Sequence, residues 1–123
     1  MAMTLVTTNI EAGDATSSFS VDSTYKLYIF KFIDINPATD SAYFTFQVNA
    51  VGASGYDEVM QTSAFMATHG EDDSTSFTYR NTTDQALGTA FQSLSDTIGN
   101  GADESLVGEL FFFNPSNTTY VKH

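Results

Sequence analysis

Residues 25–35 read YKLYIFKFIDI, and large apolar side chains fall on both alternating sets. Odd positions carry Tyr25, Leu27, Ile29, Ile33 and Ile35, while even positions carry Tyr28, Phe30 and Phe32. A strand apolar on both faces is covered on both sides or meets a partner. Asn36-Pro37-Ala38-Thr39-Asp40 then supplies a turn, combining a fixed proline φ with side chains that bond their own backbone. Residues 43–51 alternate more cleanly: Phe44, Phe46, Val48 and Ala50 point to a core, and Thr45, Gln47 and Asn49 to water. Together the two segments predict a hairpin.

Gly52-Ala53-Ser54-Gly55 opens a loop, and residues 59–69 predict another strand, with Met60, Thr62, Ala64 and Met66 on one side. An acidic loop, Gly70-Glu71-Asp72-Asp73-Ser74, leads to a short strand at 76–80. Leu87, Ala90, Phe91, Leu94 and Ile98 have the spacing of one buried helical stripe, with Asp84 placed as an N-cap and Gly99 as a stop. Gly88, Thr89, Ser93, Ser95 and Thr97 are poor helix fillers, so strand or structured loop competes with helix there. LVGELFFF at 106–113 is the last strong strand, closed by Asn114-Pro115-Ser116-Asn117, and 118–123 reads as a further strand. At the other end, Leu5, Val6 and Ile10 suit an edge strand and 11–20 a polar loop.

Composition agrees with strands. Thr and Ser supply thirty of 123 residues beside eleven Phe and six Tyr, while Glu, Lys, Arg and Gln are scarce. The expected fold class is all-β: a β-sandwich, jelly-roll-like, of six to eight short strands with at most one short helix. One domain suffices, with residues 1–21 as an N-terminal edge strand or polar arm and 22–123 as the sandwich.

Charge removes one class of function. Fifteen acidic residues against four Lys and Arg leave −11, so the surface repels a phosphate backbone and nucleic acid is not an expected partner. The start, MAMTLVTTNI, lacks the basic and apolar regions of a signal peptide, and no stretch is long enough for a membrane span. Synthesis in a cytoplasm with no membrane partner is the expectation.

Candidate chemistry is sparse. Cysteine is absent, so no thiolate nucleophile, disulfide or thiolate metal site exists. The two histidines, His69 and His123, lack a G-x-S-x-G elbow and cannot close a zinc site between them. No catalytic residue or cofactor is expected. Glu71, Asp72 and Asp73 are a calcium candidate by their oxygens alone, without the alternating acidic spacing of a calcium loop, and a solvated loop is the default. Tyr56 and Tyr79 stand near loops and are the residues that would stack on a sugar ring. In Phe111-Phe112-Phe113 the middle ring must point away from its neighbours; with Phe30 and Phe32, Phe112 is the expected subunit-interface residue.

The segment from Gly108 to His123, GELFFFNPSNTTYVKH, resembles one common in predicted virion proteins of marine bacteriophages, where a strand ends in an F-N-P-S-[SN]-T-T turn and re-enters as Y-V-K-H. Asp22-Ser23-Thr24-Tyr25, FTFQVN at 44–49 followed by Gly55-Tyr56, Asp84-Gln85-Ala86, GTAFQ at 88–92 and Gly99-Asn100 are similar to the same family. The resemblance covers roughly residues 22 to 123 and implies a β-sandwich component of a phage particle, a tail or virion structural protein without catalytic residues. Members of that family continue past Y-V-K-H, so either this chain is partial or a neighbouring subunit supplies the missing strands. The expected function is therefore a virion structural protein, tail or fibre, made in the host cytoplasm and assembling with itself and other virion proteins. Capsid decoration and a module recognising host surface glycans are the alternatives.

Overall fold

The computed structural model describes residues 2–118, all in strands, turns and irregular segments with no helix among them. The strand expected at 118–123, and His123 with it, lie outside the described residues apart from Thr118. The strands are β1 (Leu27–Ile35), β2 (Thr45–Phe46), β3 (Met60–Gln61), β4 (Phe65–His69), β5 (Thr75–Tyr79), β6 (Ala86–Gly88), β7 (Gln92–Ser93) and β8 (Leu106–Phe113). They pair first with last: β1 with β8, β2 with β7, β3 with β6 and β4 with β5, all antiparallel.

Bonds between the pairs make this nesting nearly continuous. Ala42 and Ile98 exchange backbone bonds, Leu94 N donates to Phe44 O, Thr62 N donates to Gln85 O and Arg80 N donates to Ala64 O. The chain is thus a double-stranded ribbon folded in half at Gly70–Ser74. Left-handed backbone marks its bends, at Asp34, Ser41, Asp73, Leu87 and Asn114. Asp and Asn tolerate that region better than other residues with a Cβ; Leu87, at φ 59, adopts it against its side chain.

Three expectations are corrected. The hairpin between 25–35 and 43–51 does not form, since β1 pairs with β8 and β2 with β7. The Asn36 side chain donates to the carbonyls of Gly101 and Glu104, which ties the intervening turn to the returning chain rather than closing it on itself. Nine residues of β1 find their match in the eight of β8, while the chain just before β2 meets β1 through side chains, Phe44 lying edge to face with Phe32 at 4.8 Å. The helix over 87–98 is likewise absent. Leu94 N–H, which a helix would aim at Ala90 O, goes to Phe44 O instead, and the positive φ of Leu87 breaks the first turn. Finally, Leu5, Val6 and Ile10 lie in an exposed arm without a strand, where no neighbouring edge pairs with them.

Other patterns carry through. Met60, Thr62, Ala64 and Met66 are half-buried and Gln61, Ser63, Phe65 and Ala67 exposed, so one alternation spans the gap between β3 and β4. In β8, Leu106, Gly108, Leu110 and Phe112 face in and Val107, Glu109, Phe111 and Phe113 face out.

The centre of the molecule is polar. Among the described residues no hydrophobic side chain is fully buried, and the buried residues are Gln47 and Gln92. Gln47, expected on the wet face of its strand, instead donates its amide to the carbonyls of Glu58, Thr89 and Ala90 and accepts from Val48 N. Its side chain supplies bonds where β2 has run out of ladder, which is why that strand is only two residues long. Gln92 and Gln85 join this knot through Thr62, whose hydroxyl donates to Gln92 Oε1 and accepts from Gln85 N. Gly88 sits close enough that a Cβ there would lie 2.4 Å from Gln85 Oε1, so a side chain at 88 would push the Gln85 amide aside.

Candidate functional site

Two surfaces stand out. The first is the outer face of the β1/β8 ribbon. Directly opposed residues share a face, so the register sets Leu27 with Phe113, Ile29 with Phe111 and Lys31 with Glu109 on one side. The other side holds Tyr28 with Phe112, Phe30 with Leu110 and Phe32 with Gly108. Phe30, Phe32 and Phe112 are half-buried there, Phe30 touching Phe19 at 5.9 Å and Phe32 touching Phe44. The opposite face is open: Ile33 is 76% exposed, Val107 79%, and Phe111 and Phe113 47% each. Lys31 and Glu109 form an ion pair within it.

The second surface is one face of the β4/β5 hairpin. Phe65 opposes Tyr79 and Ala67 opposes Phe77, which ranks three aromatic rings on one side. Phe65 stacks on Phe77 with centroids 5.9 Å apart and planes at 5°, and meets Tyr79 edge to face at 5.2 Å. All three are exposed. Asp84 accepts the Tyr79 hydroxyl proton, a bond that pushes the phenol pKa up. His69 ends the same face, opposite Thr75.

Of the two tyrosines singled out from sequence, Tyr79 belongs to this ladder and Tyr56 does not. Tyr56 is tilted against Phe91 at 6.5 Å and bonds Ser18 Oγ, anchoring the N-terminal arm. Phe65 and Phe77 escaped the sequence reading because their strands are short; the two-residue spacing of Phe77 and Tyr79 was the signal that could have found them.

The acidic loop does not converge. Asp72 accepts Ser74 N at 3.0 Å, and Ser74 holds its carboxyl below the usual range. Among the described residues no group of three or more His, Asp or Glu side chains is placed to hold a metal ion. An open groove of about 550 Å³ between 95–99 and 103–107 contains Asp96 and Glu104. Asp96 is paired with Arg80, and Glu104 accepts Gly101 N.

At the foot of β1, Asp22 accepts the Tyr28 hydroxyl at 2.6 Å and Thr24 N at 2.8 Å. These bonds, Tyr28's first, hold its carboxyl below the ordinary 3.8, and the same contact raises Tyr28. A depressed carboxyl contributes stability that is present above its unfolded pKa and lost as pH falls through the folded one. Tyr28→Phe should therefore return Asp22 toward 3.8 in a carboxyl NMR titration. The denaturation midpoints of variant and wild type should draw together on the acid side of that value; a constant gap would mean that the hydroxyl's contribution does not come through the ionised Asp22 carboxylate.

The chain matches no family model, and neither a curated protein nor a solved structure matches it.

Proposed function

We propose that this chain is a structural subunit of a bacteriophage particle, a tail or fibre component, acting by assembly with its own copies and other virion proteins rather than by catalysis. The observation that carries the reading is the lack of a buried hydrophobic side chain among the described residues, with 9667 Å² of accessible surface. A compact monomer of 13.4 kDa exposes about 6,500 Å². The extended arm and apolar sheet faces that neighbours would cover both contribute to the difference. The resemblance at 108–123 supplies the particle. Pairing first with last is the order of a jelly roll, whose ribbon wraps into two facing sheets, so that topology is the finer fold proposed. Capsid decoration demands the same features and is the near variant. The virion is the proposed location.

A second reading rests on the exposed Phe65–Phe77–Tyr79 ladder, which offers flat rings to a host surface glycan. Light scattering on the purified chain tests both. A discrete closed oligomer of two or more copies is expected. A monomer at every concentration would overturn the assembly reading and favour the glycan one, which in turn fails if Tyr79→Ala binds a glycan array as wild type does.

A further inference from the structure

The β1/β8 ribbon differs from the rest of this acidic chain in that its outer face is electrically balanced. Its paired rungs carry one cation and one anion, Lys31 and Glu109, with the Ile29–Phe111 rung on one side and the exposed Ile33 and Val107 beyond them on the other. We propose that this face packs on the same face of a second copy of the chain, in a two-fold contact where Lys31 of each copy also bonds Glu109 of the other. The proposal rests on the assembly reading and names its surface.

Three observations support a second copy. The first is area: the surface exceeds that of a compact monomer by about 3,200 Å², against about 800 Å² that each partner contributes to a standard interface. The second is charge. Each copy carries −11, so a contact through most other parts of the surface sets carboxylates against carboxylates, whereas this face brings no net charge. The third is self-complementarity. A two-fold axis parallel to the strands, centred on the Lys31–Glu109 rung, lays the stacked Phe111 and Phe113 ridge of one copy, 6.5 Å between centroids, over Ile29 and Leu27 of the other and sets Lys31 over Glu109.

The ion pair fits the same geometry. A single pair buried under an apolar partner loses water without further compensation. Two pairs related by a two-fold form a square in which every charge has two opposite neighbours. Side-chain exposures of 54% and 43% leave both heads free to turn outward and make that second contact.

Charge exchange tests it. Lys31→Glu alone and Glu109→Lys alone should each weaken self-association at least about tenfold, because like charges then meet across the axis. An equimolar mixture of the two variants should recover the wild-type mass as a mixed oligomer, and so should the double variant. Phe111→Asp, which alters an outward side chain and leaves the inner face intact, should also dissociate the protein. If the wild type assembles while Phe111→Asp and Ile33→Asp assemble equally well, this face is not the contact, and the assembly reading survives without it. Failure of the mixture to recover would overturn the exchanged pairs. A monomeric wild type would remove the assembly reading and this proposal together.

Discussion

Gln92→Leu should cost about 3 kcal/mol of folding free energy, although it places an apolar side chain of similar length at a buried position. Gln92 is 6% exposed, and its amide donates to the carbonyls of Thr83 and Ser93, both at 2.8 Å. Its oxygen accepts from Thr62 Oγ1 at 2.6 Å and from Gln85 Nε2 at 3.3 Å. Leucine would leave those carbonyls without their donor, and the penalty for a buried unpaired polar group exceeds what a few apolar carbons return. Urea denaturation at low protein concentration gives the number. A change under about 0.5 kcal/mol, the scale of an ordinary surface substitution, would show that the glutamine knot does not hold the ribbon's halves together.

Neighbouring phenylalanines should behave oppositely. Phe112 lies on the inner face with Tyr28, so Phe112→Ala should destabilise the isolated chain by about 2 kcal/mol, less than a fully buried ring would lose. Phe111 faces out, and Phe111→Ala should cost under about 0.5 kcal/mol in dilute solution. Raising the protein concentration separates them further, because a residue in a subunit contact contributes more as association increases. Melting curves at low and high concentration read both effects. A concentration-independent loss in Phe111→Ala equal to that in Phe112→Ala would contradict the assigned faces.

Alternation made the faces legible where strands are long. The parity of β8 follows directly from LVGELFFF, and the Met60–Met66 set follows from its spacing, because side-chain direction is a local property of extended chain. Pairing was not legible. A nearby apolar segment, 43–51, looked like the partner of β1, yet the partner lies 78 residues away from Lys31, and only tertiary bonds such as Asn36 to Gly101 decide between them. The stripe at 87–98 satisfied helical spacing by coincidence; Leu87 and Phe91 remain 71% and 53% exposed and share no face with Leu94. Gln47 and Gln92 gave no signal at all, since a glutamine amide that replaces ladder bonds looks in sequence like any polar residue in a loop. Of the candidate residues, Tyr79 fell in an aromatic surface because its partners sit two residues away and across a short turn.

A ribbon folded in half also dictates an order of formation. Joining Lys31 to Glu109 directly would close 78 residues of chain, which costs about 2 kcal/mol more loop entropy than closing the short turn at Gly70–Ser74. The economical route zippers outward from β4 and β5, each pair bringing the next within reach, and β1 and β8 meet last. High contact order of this kind makes folding slow and leaves the most apolar strands single until the end. The outer face of that last ribbon does not exist before the rest of the chain is in register, so unfinished molecules lack the surface through which finished ones would join.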